Sequence, residues 1–146
     1  MFADFLKRLT QPDPAPLDDT DARLALTTLL VRIARSDNNY APQERTLIDQ
    51  ITMQRYDLDE AAAQTLRADA EVLESEAPDT VRFTRAIKDA VAYDDRLKVI
   101  EALWKVVLAD GTRAKEEDAL LRLVANLLGV TDTDSAMARQ RVAAQN

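Results

Sequence analysis

Hydrophobic residues recur at three- and four-residue spacing along most of the chain, the pattern of amphipathic helices. No stretch alternates apolar and polar residues for long enough to predict a β-strand. The spacing predicts a short first helix on Phe2, Phe5, Leu6 and Leu9. Seven further helices are predicted, and the residues expected to open or close them are Asp19, Ser36, Pro42, Asp59, Asp79, Asp94 or Asp95, Gly129 and Thr131. The predicted fold class is therefore all-α, about seven helices in one globule plus the short N-terminal helix.

The first helix is followed by three prolines between Pro12 and Pro16, which cannot continue a helix. We therefore divide the chain into a short amphipathic helix with a proline-rich tether at 1–18 and a helical domain at 19–146. The first helix is expected to dock on the domain or to fray. A role in binding a membrane surface or a partner is the alternative.

Within the domain, the apolar spacing also predicts which side chains face the core. Ala62 and Leu66 are expected on the inner face of one helix, and Met137 on the weaker face of the last. Trp104 lies on the apolar stripe of its helix and is expected to be a core residue.

Composition excludes several kinds of chemistry. The 146 residues include 26 acidic and 19 basic side chains, a net charge of −7, and neither cysteine nor histidine. Disulfides, thiol nucleophiles, Ser-His-Asp triads, zinc fingers and histidine metal triads are therefore excluded. With two glycines, the chain has no glycine-rich phosphate loop, and its acidity argues against a nucleic-acid partner.

The sequence also indicates where the protein is located and whether it is an enzyme. No segment has the roughly 20 apolar residues of a transmembrane helix, and the N-terminus lacks the pattern of a signal peptide. We therefore expect a cytoplasmic protein without an integral membrane segment. No local pattern pairs a nucleophile with a base, so the chain is expected not to be an enzyme.

An internal repeat appears when the sequence is compared with itself at an offset of 73 residues. The segment Leu30–Leu47 then aligns with Leu103–Leu120, with five identities in eighteen positions, where chance gives about one. Further on, Leu58-Asp59 aligns with Val130-Thr131 after a slip of one residue, which suggests a third helix in each repeat. The predicted architecture is two helical-hairpin units with one helix between them.

Each repeat carries two acidic residues seven positions apart, Asp37 with Glu44 and Asp110 with Glu117. The glutamates fall in the first turn of a helix, where a carboxylate complements the helix dipole. The aspartates fall at the end of a helix, where the dipole disfavours them by a few tenths of a kcal/mol. An aspartate at the same unfavourable place in both repeats needs a compensating partner.

Three partners are open for these aspartates. The first is the backbone N–H groups of the next helix, in an Asx-type turn. The second is a divalent cation held by oxygen ligands, and the third is a partner protein. The spacing of an EF-hand is absent from both loops. The other acids, Glu71, Glu74, Glu76, Asp94 and Asp95, are expected on solvated faces or at caps.

The doubled helix–acidic loop–helix pattern resembles the TerB-like family of bacterial tellurite-resistance proteins. The resemblance rests on Thr27–Asp37 and Ala102–Gly111, with Tyr56–Ala61 and Leu128–Val130 matching the joints that follow, and it spans most of Leu24–Arg139. It implies an all-helical, cytoplasmic, non-enzymatic module connected with tellurite or stress responses. It also implies metal binding through the acidic loops.

Carried over to this chain, the motif acids are Asp37, Glu44, Asp110 and Glu117. The first loop departs from the family pattern, because Asn38 replaces a glycine and Gln43 replaces one of two consecutive acids. The second loop keeps Gly111, Glu116 and Glu117, and it is therefore the better candidate for a cation.

The leading hypothesis is an accessory or scaffold protein that binds a divalent cation (Ca²⁺, Mg²⁺ or Zn²⁺) and acts through a protein partner. The alternative is a structural protein-interaction domain in which the loop acids are only helix and turn caps. A two-carboxylate hydrolase would require acids that converge in a pocket.

Overall fold

Eight helices make up nearly all of the chain that the structure describes. The structure is a computed structural model that describes residues 3–9, 19–36, 40–77, 79–108 and 115–144, without the side chains at 3, 8–9, 19 and 115–118. No strand occurs in these ranges, so the all-α prediction is confirmed. The helices are α1 (Ala3–Leu9), α2 (Asp19–Arg35), α3 (Pro42–Tyr56), α4 (Glu60–Glu76), α5 (Thr80–Ala90), α6 (Tyr93–Val107), α7 (Lys115–Leu127) and α8 (Asp132–Ala144).

The helices form two units of three with α5 between them. In the first unit, α2, α3 and α4 all contact one another, and in the second α6, α7 and α8 do the same. The two units meet because α2 contacts α6 and α7, and α3 contacts α6. The predicted repeat is thus present in the packing, and it includes the third helix of each unit.

The joint between the second and third helix is built in the same way in both units. After α3, the Leu58 N–H donates to the Met53 carbonyl at 3.1 Å. After α7, the Val130 N–H donates to the Ala125 carbonyl at 2.9 Å. In both joints the N–H donates to a carbonyl five residues earlier, which is the Schellman closure of a helix.

The caps that open the third helices also match. The Asp59 carboxylate accepts from the Ala62 N–H at 2.8 Å, which confirms Asp59 as the N-cap of α4. The Thr131 hydroxyl accepts from the Asp134 N–H at 3.0 Å at the start of α8. The two caps stand 72 residues apart, so the one-residue slip in the repeat is confirmed.

The core is centred on α2 and α6. Trp104 is 3% exposed, which confirms it as a core residue. Phe5 is also buried and α1 contacts α5, so the first helix docks on the rest of the fold. The main buried residues of the two central helices are Ala25, Leu26, Leu29, Leu30, Val31, Ile33 and Ala34 in α2 and Val99, Ile100, Ala102, Leu103, Trp104, Val106 and Val107 in α6.

Two of the predicted core positions are wrong. Ala62 is exposed, because the buried stripe of α4 runs through Ala63 and Ala70 instead. Met137 is 50% exposed, because α8 buries Ser135 and Ala138 on its inner face.

The predicted cap of α6 is also wrong. The N-cap position is Ala92, and Asp94 and Asp95 lie inside the first turn. There the carboxylates complement the positive end of the helix dipole without capping an N–H group.

The boundary predicted at residue 18 stays a prediction, because the proline-rich segment lies in 10–18, outside the described residues. None of the described helices combines the length and the apolar character needed to cross a membrane.

The left-handed residues that close α3 and α7 give a test of the repeated joint. Asp57 has φ 55° and Gly129 has φ 75°. A Cβ at Gly129 would lie 3.0 Å from Cε of Lys88 and 3.1 Å from Nη1 of Arg96. We expect Gly129→Ala to lower the free energy of unfolding by about 1–2 kcal/mol, since it adds left-handed strain and crowding. Urea denaturation measures the change.

The matched control is Asp57→Gly at the equivalent joint. Glycine relieves the left-handed strain of the folded state, but it also gives the unfolded chain more conformational freedom. Because the two effects oppose each other, we expect the free energy of unfolding to change by less than about 0.5 kcal/mol. Gly129→Ala without loss of stability would contradict this account of the joint.

Candidate functional site

The four predicted loop acids are only partly within the described residues. Asp37 lies in 37–39 and Asp110 in 109–114, and both segments are outside the description. Glu117 lies in α7, but its side chain is not described. Glu44 is therefore the loop acid whose surroundings the structure gives.

Glu44 occupies the third position of α3, after Pro42 at the first. Its Oε1 accepts from the backbone N–H of Ala41, the N-cap residue, at 3.4 Å. This is the glutamate half of a capping box, and it satisfies an N–H that the helix itself leaves without a partner. The prediction of Glu44 as a first-turn acid is confirmed.

Within the described residues, no group of three or more acidic side chains lies close enough together to hold a metal ion. The cation hypothesis still rests on the four loop acids.

A hydrogen-bonded network surrounds Tyr40, the first described residue after the gap at 37–39. The Tyr40 hydroxyl donates to Oε2 of Glu71 in α4 at 2.6 Å. Arg67, one turn before Glu71, donates to the same oxygen at 3.1 Å and to Asp49 in α3 at 2.8 Å. The network thereby ties the entry into α3 to the side of α4.

Arginines from two helices lie over the Tyr40 ring. The guanidinium carbons of Arg35 and Arg45 lie 5.1 and 4.9 Å from the ring centre, within the range of a cation–π contact. Arg35 also donates to Glu74 at 3.4 Å. The end of α2, the start of α3 and the side of α4 are thus joined through Tyr40 and its neighbours.

The network contradicts the prediction that Glu71 and Glu74 lie on a solvated face. Their side chains are 22% and 15% exposed, and both accept hydrogen bonds from arginines. The ion pair between Arg67 and Glu71 could have been predicted, because residues four positions apart are neighbours on a helix surface. The Tyr40–Glu71 contact spans 31 residues and follows only from the packing of α4 beside Tyr40.

The electrostatics keep the Tyr40 phenol protonated. Burial raises the pKa of Tyr40 above its usual value, and the hydrogen bond to Glu71 and its negative charge raise it further. The charges of Arg67 and Arg35 oppose this rise without cancelling it. Tyr40 is therefore a hydrogen-bond donor that positions the loop, not an activated base or nucleophile.

Comparison with known proteins assigns the chain to a family. The family model described as tellurite resistance protein TerB matches residues 23–140. The chain belongs to the TerB family. The match includes both three-helix units, apart from the first residues of α2 and the last of α8, and both acidic loops of the TerB pattern. No curated protein and no solved structure matches the chain.

The link between the first loop and α4 can be tested through Tyr40. We expect Tyr40→Phe to lower the free energy of unfolding by about 1.5–3 kcal/mol, because it removes a hydrogen bond to the charged Glu71. Thermal and urea denaturation at neutral pH measure the loss.

A double-mutant cycle with Glu71→Ala provides the control. In the Glu71→Ala background that hydrogen bond is already absent, so Tyr40→Phe should cost about 1.5–3 kcal/mol less than in the wild type. Equal costs in both backgrounds would show that the contact does not hold the loop.

Proposed function

We propose that this TerB-family chain is a non-enzymatic accessory or scaffold module of the tellurite or stress response that acts in the cytoplasm through a protein partner. The family match over 23–140 carries this proposal. The two packed three-helix units support it, because they supply a helical framework that can present loops and helix faces to a partner.

We propose further that the loop acids Asp37, Glu44, Asp110 and Glu117 supply oxygen ligands for a divalent cation. Carboxylates are ligands that Ca²⁺ and Mg²⁺ prefer. The recurrence of an acid pair with the same spacing in both repeats supports this function. The second loop is the stronger candidate, because Gly111 and Glu116 complete the family pattern there.

A second function is favoured by the geometry of Glu44. Its bond to the Ala41 N–H is a capping bond. If Asp37 and Asp110 likewise accept from N–H groups of the following helices, the chain is a protein-interaction domain without a cation. The acids then contribute to stability alone.

A cation titration separates the two functions. The chelator-treated protein is titrated with Ca²⁺, Mg²⁺ and Zn²⁺ separately while its amide NMR spectrum is recorded. We expect saturable shifts near the two loops in the wild type and their loss in the double variant Asp37→Ala with Asp110→Ala. The control is Asp89→Ala with Asp94→Ala, which removes two exposed acids outside the loops.

Unchanged cation affinity in the loop variant would contradict cation binding through these acids. If the wild type shows no saturable shift and the loop variant loses roughly 0.5–2 kcal/mol per cap, the acids are turn caps. Glu44→Gln sharpens the distinction, because glutamine keeps the capping acceptor but not the charge. Cation binding predicts that Glu44→Gln weakens affinity and leaves stability nearly unchanged.

A further inference from the structure

A cavity of about 210 Å³ lies where α2 and α6 begin and α3 ends. These are the ends of α2 and α3 opposite to the joint between them, so the cavity is at the other end of the hairpin from the first acidic loop. The described residues that line it are Ala22, Arg23, Leu26, Arg55, Tyr56, Asp95 and Lys98.

The lining is cationic although the chain as a whole is acidic. Arg23, Arg55 and Lys98 give three positive charges, and Asp95 is the one acid among the described lining residues. The local charge of +2 contrasts with the net charge of −7 for the whole chain. In a cleft with apolar walls such a cluster attracts anions more strongly than the net charge suggests.

The three cations of the cavity differ from several arginines elsewhere in the fold, which form ion pairs with acidic side chains. Arg35, Arg67 and Arg141 each form an ion pair with a glutamate or an aspartate. Among the described residues, Arg23, Arg55 and Lys98 form no ion pair. No carboxylate of a described side chain therefore neutralises their positive charges at contact distance.

Packing holds two of these cations at the wall of the cavity. The guanidinium carbon of Arg23 lies 5.2 Å from the centre of the Tyr56 ring. Arg55 and Tyr56 are both half-buried in the last turn of α3. Because the side chains are held in this way, less rotamer freedom remains to be lost when a ligand binds.

Tyr56 adds a neutral donor to the same wall. Burial raises the pKa of Tyr56, while the charges of Arg55 and Arg23 act in the opposite direction. The phenol therefore keeps its proton at neutral pH. Buried Leu26 supplies an apolar surface beside it.

We propose that this cavity binds the phosphate group of a small ligand, either the free ion or the end of a small organic phosphate, through Arg23, Arg55 and Lys98. Arginine presents a planar fork of donors that matches phosphate oxygens, and lysine adds a point charge. The cavity is smaller than the pockets of about 300–1,000 Å³ that hold drug-sized ligands, so its volume fits a ligand as small as a phosphate group. The cavity would bind an anion and the acidic loops a cation, through different residues. Failure of cation binding would therefore leave the phosphate proposal untouched.

Inorganic phosphate and phenyl phosphate are the probes, titrated into the full chain at constant ionic strength with chloride as the compensating anion. We expect saturable amide shifts at the residues of the cavity. Lys98→Gln should weaken binding, and Arg55→Gln should weaken it by about tenfold or more, as for the loss of a charge-assisted hydrogen bond. Tighter binding of phenyl phosphate would identify an organic phosphate as the source, whereas equal affinity would identify the free ion.

Two variants keep the test independent of folding. Asp95→Asn removes the one acid of the described lining, and it should tighten phosphate binding several-fold, which a damaged fold could not do. Lys105→Gln, on the same helix as Lys98 but outside the described lining, should leave the affinity unchanged. Absence of saturable shifts at the cavity, or equal weakening by Lys98→Gln and Lys105→Gln, would overturn the proposal.

Discussion

The burial of α2 is the constraint on which the rest of the structure depends. From Ala25 to Val31 every residue of this helix is buried, including the polar Thr27 and Thr28, so this stretch is enclosed on all sides. A helix of this kind is stable only when neighbours surround it. The contacts of α2 with α3, α4, α6 and α7 supply that cover. The first unit therefore depends on the second for stability, because α6 and α7 cover part of the surface of α2.

Charge is distributed along the first hairpin in a way that fits this packing. At the end where α2 meets α3, arginines pair with Glu71, Glu74 and Asp49 around Tyr40. At the opposite end, the cations of the cavity lack such partners among the described residues. An acidic TerB-family chain thus combines acidic loops, for which we propose a cation, with a cationic pocket, for which we propose a phosphate group.

The sequence was sufficient for the features that depend on local chemistry and periodicity. The helices, the Asp59 cap, the closure at Gly129, the repeat and the burial of Trp104 were all predictable from spacing and residue type. The resemblance to the TerB family was readable from the repeated helix and loop segments, and the family match over 23–140 confirms it.

Apart from the cap of α6, the errors arose where tertiary packing decides between neighbouring residues. Alanine is nearly neutral in its preference for core or surface, so the sequence did not distinguish Ala62 from Ala63. The partners of Glu71 and the cavity at Arg23 and Arg55 bring together residues from separate helices. No local spacing encodes those contacts.

Native-state hydrogen exchange at increasing denaturant tests the central claim, a single core shared by both units, most directly. The account predicts that buried amides of α2, such as those of Leu29 and Leu30, and of α6, such as those of Ile100 and Leu103, exchange through one global opening. They should then share the same free energy and the same denaturant dependence. Exchange of the α6 amides at a free energy lower by about 2 kcal/mol or more, with a smaller denaturant dependence, would contradict it, because the second unit would then open alone.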